Sequence, residues 1–425
     1  MQNFAMIQYN YMGVINIKIL NFGSCNIDYV YSVDHIVRVG ETQSTYQLEI
    51  FPGGKGLNQS IAIARAGAAV HHAGCVGCDG DMLLELLTES GVDVSYIRRV
   101  AEKNGHAIIQ VSTEGDNSIF LHGGSNEMID EPFIDSVLEG FDSGDILLLQ
   151  NEIRGVPYLV EKAYEKHMCI ILNPSPWNEK ARKIDFGMLS YIIVNEVEAQ
   201  EISGCQIPEE ALAYFKERYP DLKVILTLGD KGSIYLDREH TIRQSAFITD
   251  VVDTTAAGDT FTGYFVAGVA SGVDCADALR DASAAAAISV SRNGAAPSIP
   301  WKREVAKGLA SLKEAPKNDR RELIGKQIER YLAAHYKVAT LGGLSGLLNF
   351  SLPYTGALVK ALTGESFVAL LQKKRCAVAA ELLLQSEASI SEIAHSVGYE
   401  NLSFFRRKFK ETYGKNPLEY RKNRG

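Results

Sequence analysis

"DTTAAGDTFTGYF" (Asp253–Phe265) decides how the first two thirds of this chain are read. Asp253 opens it, and Asp259 follows six residues later. Small residues lie between the two acids, and an apolar run comes after them. A helix starting near Ala256 or Ala257 would present free N–H groups and the positive end of its dipole at the first turn. Small side chains at 256–258 let an anion approach that backbone. A carboxylate at 259 then sits beside the anion, placed to take a proton from an attacking hydroxyl. Phosphoryl transfer needs this pairing of positive potential and oriented nucleophile. The plain alternative is capping, because Asp253, Thr254 and Thr255 are ordinary N-cap residues.

The surrounding sequence alternates two kinds of segment. Short β-branched runs stand at "INIKILNFG", "HAIIQVST", "DILLLQ", "CIILN", "YIIVN" and "VILTLG". Helical patterns such as "GLNQSIAIARAG" and "DMLLELLTESG" lie between many of them. Such alternation predicts an α/β fold with a parallel sheet. Two extended stretches break the pattern, 41–51 and 105–124. The second carries "EGDN" between strand-like runs, a hairpin signal. Together they predict a small β-sheet beside the main one, shaped as a lid.

At 425 residues the chain is too long for one core. Its 46% hydrophobic and 22% charged content is that of an ordinary globular protein. Seven scattered cysteines make a disulfide scaffold a poor fit and point to a reducing cytoplasm. Residues 1–13 lack the features of a signal peptide and read as an extension before the first strand. No run reaches the ~18 apolar residues of a membrane span. Residues 313–319, "KEAPKND", read as a linker. Beyond it the pattern is helical throughout. From Arg321 to Gly425 there are 16 Lys and Arg against 9 Asp and Glu, although the whole chain carries a net charge of −9. Such a split hints at a nucleic-acid-binding module joined to something else.

A second glycine-rich turn, "FPGGKGLNQSIAIARAG" (51–67), precedes a helix but lacks Walker A spacing. Alone it is an ordinary turn. Together the two motifs say more. From about Asn16 to Leu312 the chain resembles the ribokinase (PfkB-type) family of sugar kinases. The matches run in order: "GSCNIDYV", "PGGKGLNQ", "LLLQNEI", "LNPSPW", "VNEVEAQEISG", "LTLGDKGS", "DTTAAGDTFTGYF" and "RNGAAPSIP".

The resemblance implies a ribokinase-like fold: a mainly parallel central sheet, flanking helices and a β-sheet lid through which two copies would pair. It implies Asp259 as the catalytic base, with the N–H groups of Ala256, Ala257 and Gly258 as an anion hole. Asn26, Asp28, Gly54, Lys55, Asn58 and Glu152 would bind the sugar. Carboxylates and amides suit that work, because they fix several hydroxyls at once. Asn195 and Glu198 would organise magnesium–ATP through water. Thr227, Gly229, Asp230, Gly232, Gly258 and Ser283 would line the nucleotide site. Asp253, Thr255, Ser289, Arg292, Gly294 and Ser298 match the family's monovalent-cation loop, which implies potassium activation.

"HHAGCVGC" (71–78) looks like a metal cluster, with His71, His72, Cys75 and Cys78. It has no second Cys pair, and adjacent histidines point to opposite faces of a strand. It reads as a strand running into a turn. His35, His106 and His122 read as satisfied surface or core histidines.

In the basic tail, Ile390, Ile393, Ala394 and Val397 form one apolar face, and Gly398 breaks the helix. A second helix begins near Asn401, with Phe405 and Phe409 facing inward. Ser403, Arg406, Arg407 and Lys410 are left outward, as on a recognition helix in the major groove. The alternative is a solvated basic face. Over roughly 320–423 the pattern resembles the AraC-type DNA-binding domain, an all-α pair of helix-turn-helix units. That likeness implies DNA contacts from Asn401, Ser403, Arg406, Arg407 and Lys410. The first unit, 339–364, departs from it. Gly342, Gly343 and Gly346 fall where a helix is wanted, and Ala357 stands where a basic residue is usual. Two readings follow: an active sugar kinase joined to a DNA-binding domain, with ribose the expected substrate and another sugar or a nucleoside the alternative, or a regulator whose kinase fold acts mainly as a ligand sensor.

Overall fold

Five of the six apolar runs become strands of one large sheet, and "HAIIQVST" becomes a strand of a smaller one. In chain order the strands are β1 (Ile19–Phe22), β2 (Asn26–Val33), β3 (Gln47–Gly53), β4 (Val70–Val76), β5 (Asp93–Arg99), β6 (Gly105–Ser112), β7 (Asn117–His122), β8 (Ile146–Gln150), β9 (Cys169–Asn173), β10 (Tyr191–Asn195), β11 (Lys223–Thr227), β12 (Ser233–Leu236) and β13 (Thr241–Gln244). Nine of them form a sheet in the order β13-β12-β11-β10-β9-β8-β1-β4-β5. It is parallel from β11 to β5 and antiparallel at β12 and β13. The computed structural model describes residues 17–114, 116–315, 320–348 and 352–422. Two units divide between Ala315 and Pro316. The extension read at 1–13 lies outside the described residues.

Helices cover both faces of the sheet, so its central strands are apolar on both. Along β8, Ile146 and Leu148 join a core with the helices Lys55–Arg65, Ala257–Ala270 and Cys275–Val290. Leu147 and Leu149 join the opposite core, with Leu159, Val160 and Phe215. All five β8 side chains, Gln150 included, are buried. Unbroken apolar runs are what a doubly covered parallel sheet requires.

The lid is a four-stranded sheet in the order β3-β2-β6-β7. The hairpin is β6 and β7, as the turn signal predicted. The extended stretch at 41–51 is a strand only from Gln47 onward. β2 is central to the lid, and "NIDYVYSV" alternates Ile27, Tyr29, Tyr31 and Val33 with Asn26, Asp28 and Ser32, a strand signal that sequence reasoning missed. The metal-like cluster is β4 with its following turn. His72 is buried, and His71 turns outward to Asp93 at 3.1 Å.

The linker expectation needs correcting at its start. The Ile248 N–H donates to the Lys313 carbonyl at 2.8 Å, and the Ala315 N–H donates to the Ala246 carbonyl at 2.7 Å. Residues 313–315 are therefore backbone-paired within the first unit. Their polar composition concealed this, because main-chain pairing needs no apolar side chain.

The second unit is helical over its described residues. Ile324, Ile328, Leu344 and Val359 build one small core, and Ile393, Val397, Phe405 and Phe409 build another. The long helix Phe367–Gln385 serves both, giving Phe367 and Leu371 to the first and Cys376, Ala379 and Leu383 to the second. Leu341–Leu348 is helical despite its glycines. A Cβ on Gly343 would collide with the Tyr331 hydroxyl, so that glycine is what lets Tyr331 pack there.

Candidate functional site

The site lies beyond the carboxyl ends of the parallel strands, beside the point where β1 pairs with both β4 and β8. Asn151 and Glu152 follow β8, while β9, β10 and β11 end at Asn173, Asn195 and Thr227. Helix N-termini from Lys55–Arg65 and Ala257–Ala270 point into the same region.

Three glycines of the 53–56 turn have separate reasons. A Cβ on Gly53 would overlap the Asp28 carboxylate. Gly54 has φ 98, outside the range of ordinary side chains. A Cβ on Gly56 would overlap the backbone at Gly23 and Ser24. The turn thus seats the Lys55–Arg65 helix directly on the β1–β2 connection. Glu152 is held there by the Ser24 hydroxyl (2.5 Å) and the Lys55 N–H (3.0 Å).

Asp259 is buried, and each of its oxygens accepts one amide hydrogen. Asn58 Nδ2 donates to Oδ2 at 3.0 Å, and Gln59 Nε2 donates to Oδ1 at 2.9 Å. The other amide atom of Asn58, Oδ1, is buried without a protein partner. Sequence reasoning missed Gln59, although it stands inside the quoted motif. Its Nε2 also reaches Asn173 Oδ1 (3.1 Å), and its Oε1 accepts from Gln150 Nε2 (2.7 Å). Gln150 continues to Asn21 (2.9 Å), Asn21 to Ser60 (2.7 Å) and Ser60 to His72 (2.8 Å). Burial pushes the His72 ring down to about 4, so it stays neutral in this network. Buried polar groups linked in this way rigidify what they touch. Asn126, also missed, donates to Asn26 Oδ1 at 2.7 Å.

Lys55 is surrounded by acids. Burial works against its charge, but Asp259, Glu152 and Glu198 outweigh burial and hold the ammonium above the usual lysine range. Burial pushes the Glu152 carboxyl up, with Lys55 offsetting part of the rise.

The opening motif forms the helix start that was expected. Ala256 is its N-cap, in the left-handed region at φ 59, ψ 10. That conformation costs a non-glycine residue roughly 1–2 kcal/mol. The Ala257 N–H donates to the Thr254 carbonyl at 3.3 Å, a long bond that an anion can compete with. A Cβ on Gly258 would meet no heavy atom within 4 Å. Packing therefore does not require glycine at 258.

Two cavities meet at this turn. The smaller, about 220 Å³, is lined by Lys55, Asn173, Asn195, Glu198 and residues 256–259. The larger, about 440 Å³, is lined by Gly229, Asp230, Gly232, Phe247, Phe261, Ser283 and Ala287, among others. Thr227, Thr254, Ala257 and Gly258 border both.

Asn195 and Glu198 form a capping box for the helix Glu196–Ser203. Glu198 Oε2 accepts the Asn195 N–H (3.0 Å), and Asn195 Oδ1 accepts the Glu198 N–H (2.8 Å). The cap occupies the oxygen of Asn195, which leaves its NH₂ as the group for further contacts. In the expected cation loop, Asp253 bonds the Thr255 N–H (2.9 Å), the Thr255 hydroxyl (2.6 Å) and the Gly294 N–H (2.9 Å). Burial raises its carboxyl, but these donors outweigh burial and hold it below the usual range. Arg292 pairs with Glu304 at 2.7 Å, and the Ser289 and Ser298 hydroxyls bond each other at 2.7 Å. Arg292 could reach a cation only through its main-chain carbonyl, and the two serine hydroxyls are already engaged with each other. Among the described residues, no group of three or more His, Cys, Asp or Glu converges as a metal site.

Asp28 offers a pH test of this arrangement. Burial, helped by the Glu152 charge, raises its carboxyl to about 6 from an ordinary 3.8. A folded pKa above the unfolded one means that the fold binds this proton more tightly. That stability is present in full below about pH 4 and is lost as pH rises through about 6. Asp28→Asn should therefore gain stability over the wild type between about pH 4 and pH 7, on the order of 2–3 kcal/mol. Urea denaturation at each pH reads the difference, and a flat difference across that range would contradict the buried carboxylate.

Comparison with known proteins identifies the family. Residues 16–302 match the pfkB family carbohydrate kinase model, and residues 344–423 match a helix-turn-helix domain of AraC type. A ribokinase of Haemophilus influenzae is 34% identical over 298 residues, covering 68% of this chain and 96% of that protein. A Bacillus subtilis ribokinase is 36% identical over 293 residues, covering 68% and 98%. Among solved structures, Thermotoga maritima ribokinase superposes with a TM-score of 0.63 at 34% identity, covering 69% of this chain and 100% of that one. Arabidopsis thaliana ribokinase, solved with ribose and ATP, gives 0.62 at 28% identity, covering 69% and 99%. The chain belongs to the pfkB family of carbohydrate kinases and carries an AraC-type helix-turn-helix domain after its kinase domain.

Proposed function

We propose that this carbohydrate kinase transfers the γ-phosphoryl group of ATP to a hydroxyl of D-ribose, giving ribose 5-phosphate and ADP. The observation that carries the proposal is Asp259, held by two amide donors in the smaller cavity, next to Gly258, which borders both cavities. Asp259 takes the proton of the attacking hydroxyl. The new O–P bond forms as the bond from γ-phosphorus to the ADP oxygen breaks. N–H groups of 256–258 stabilise the charge on the transferring group. The orphan Asn58 Oδ1 accepts a sugar hydroxyl, which removes the cost of an unpaired buried acceptor, about 1–3 kcal/mol. Asn26, Asp28, Gly54, Lys55 and Glu152 complete the sugar side. Ribose is favoured over other sugars because the relatives named above are ribokinases.

The larger cavity takes the nucleotide, with Thr227, Gly229, Asp230, Gly232 and Ser283 around it. Magnesium would come with the ATP phosphates and would neutralise part of their charge. Glu198 Oε1 organises its hydration, and the Asn195 NH₂ donates to phosphate. Lone carboxylates that share the ion with a nucleotide suit magnesium, which keeps several waters. Potassium would lie in the loop joined by Asp253 and Gly294, held by main-chain oxygens. Ile50, Ile108, Phe120 and Leu121 of the lid are exposed, which supports a homodimer through the lid. Seven unpaired cysteines suit a cytoplasmic protein, and no helix among the described residues is long and apolar enough to cross a membrane.

The helix-turn-helix unit binds DNA chiefly through its second half, as a transcription regulator. Helix Leu402–Tyr413, capped by Asn401, exposes Ser403, Arg406, Arg407 and Lys410. Helix Leu352–Thr363 exposes Leu352, Pro353, Ala357, Lys360, Ala361 and Thr363, with Lys360 the single charge among them. Base edges are read by hydrogen-bonding side chains, and the second helix supplies them.

Two substitutions test the kinase proposal. Asp259→Asn should keep the fold and lower kcat with ribose by about 10²–10⁴-fold, measured by coupled ADP release. Wild type should prefer ribose in a panel of pentoses, hexoses and nucleosides. Preference for another acceptor would refute ribose, and an unchanged kcat in the variant would refute the base. Gly258→Ala should raise thermal stability slightly, because alanine suits a helix better by about 1 kcal/mol. It should also cut turnover at least about tenfold, because the methyl group enters the space between the cavities. Unchanged turnover would show that this space is not the path of the transferred group.

A further inference from the structure

The point where the helix-turn-helix unit leaves the kinase is a wall of the larger cavity. Ala315, the last residue of the kinase unit, lines that cavity beside Ala246, Phe247 and Ile248. Few interactions hold residues 313–315 there. Among the described residues they are the two backbone hydrogen bonds to 246 and 248, which make an antiparallel bridge of Phe247 and Glu314, and a partly exposed Glu314–Arg280 ion pair at 3.7 Å. Upstream the chain is anchored, since Leu312 packs against the main core. Downstream, four residues separate Ala315 from Arg320, where the first helix of the DNA-binding unit begins.

A two-stranded pairing this short is marginal by itself. Segments held by few contacts open locally at little cost. A ligand that fills the cavity packs against Phe247 and Ala315, so it binds the paired arrangement better than the open one. Such a difference in affinity is what shifts an equilibrium. Opening would also change the tether. Four residues span at most about 14 Å, and releasing 313–315 would nearly double that reach.

We propose that the larger cavity is also an effector site: an adenine nucleotide bound in it pins residues 313–315 and so changes the affinity of the chain for DNA. This rests on the nucleotide reading of that cavity. The effector class is nucleotide and not sugar, because Asn26, Asp28, Lys55 and Glu152 do not line this cavity. The coupling is reciprocal, so bound DNA changes nucleotide affinity by the same factor.

The test uses the full chain and a duplex that it recovers from a random-sequence pool. Fluorescence anisotropy gives the DNA Kd without ligand, with ribose alone, and with magnesium and the β,γ-imido analogue of ATP. Calorimetry gives the Kd of that analogue with and without duplex. The analogue should shift the DNA Kd about fivefold or more, ribose alone should not, and the duplex should shift the analogue's Kd equally. Inserting about ten Gly and Ser residues between Lys317 and Asn318 should leave both affinities measurable and abolish the shift. An analogue that binds while DNA affinity stays constant would overturn the coupling and leave the kinase reading intact. An analogue that does not bind would overturn both. A shift with ribose alone, a shift that survives the insertion, or failure to recover any duplex would each overturn the proposal.

Discussion

Two helix N-termini, about 200 residues apart in the chain, meet at one carboxylate. The helix Lys55–Arg65 supplies Asn58 and Gln59, and the helix Ala257–Ala270 supplies Asp259. They lie so close that a Cβ on Gly263 would overlap Ala62. That contact sets the depth at which Asp259 sits, and the two amides set its rotation. The glycine turn at 53–56 seats the first helix against the sheet. The small residues at 256–258 begin the second. Without the close crossing, the sugar-side residues and the anion-binding turn would belong to separate places.

Charge at the junction follows from the same crossing. Three carboxylates surround Lys55, and their sum outweighs the cost of burying an ammonium. The turn at Ala256 holds a left-handed alanine, and the adjacent Gly258 has open space where a side chain would fit. Both features lower local stability, and neither is demanded by packing. Such costs tend to persist at functional sites. Here they leave backbone N–H groups facing the junction of two cavities.

The parallel sheet was legible because strands covered on both faces carry unbroken apolar runs, as β8 does from Ile146 to Leu149. The helix start at 257 was legible from its small residues and caps. β2 was missed although Ile27, Tyr29, Tyr31 and Val33 alternate with polar neighbours, because Asn26 and Asp28 read as ligand groups and two of the four alternating residues are tyrosines, polar at their tips. The site motifs named Asn58 and Asp259 but not Gln59. A buried glutamine resembles a surface one until its partners at Gln150, Asn173 and Asp259 are seen. The start of the linker was misread because main-chain pairing at 313–315 leaves no mark on side chains. Glycines at 342 and 343 looked incompatible with a helix, yet Gly343 accommodates a tyrosine from another helix. For Gln59, 313–315 and Gly343 the missing information was a contact distant in sequence.

The most direct test of the central claim is a crystal structure with ribose, ADP, magnesium and aluminium fluoride, which imitates the transferring phosphoryl group. The measured quantities are distances from the fluoride to the backbone nitrogens of 256–258 and from the sugar hydroxyl to Asp259. Fluoride within about 3.2 Å of at least two of those nitrogens, with the hydroxyl oxygen about 3 Å from the Asp259 carboxylate, is the predicted result. Fluoride bound away from the turn, or a hydroxyl facing a group other than Asp259, would contradict it.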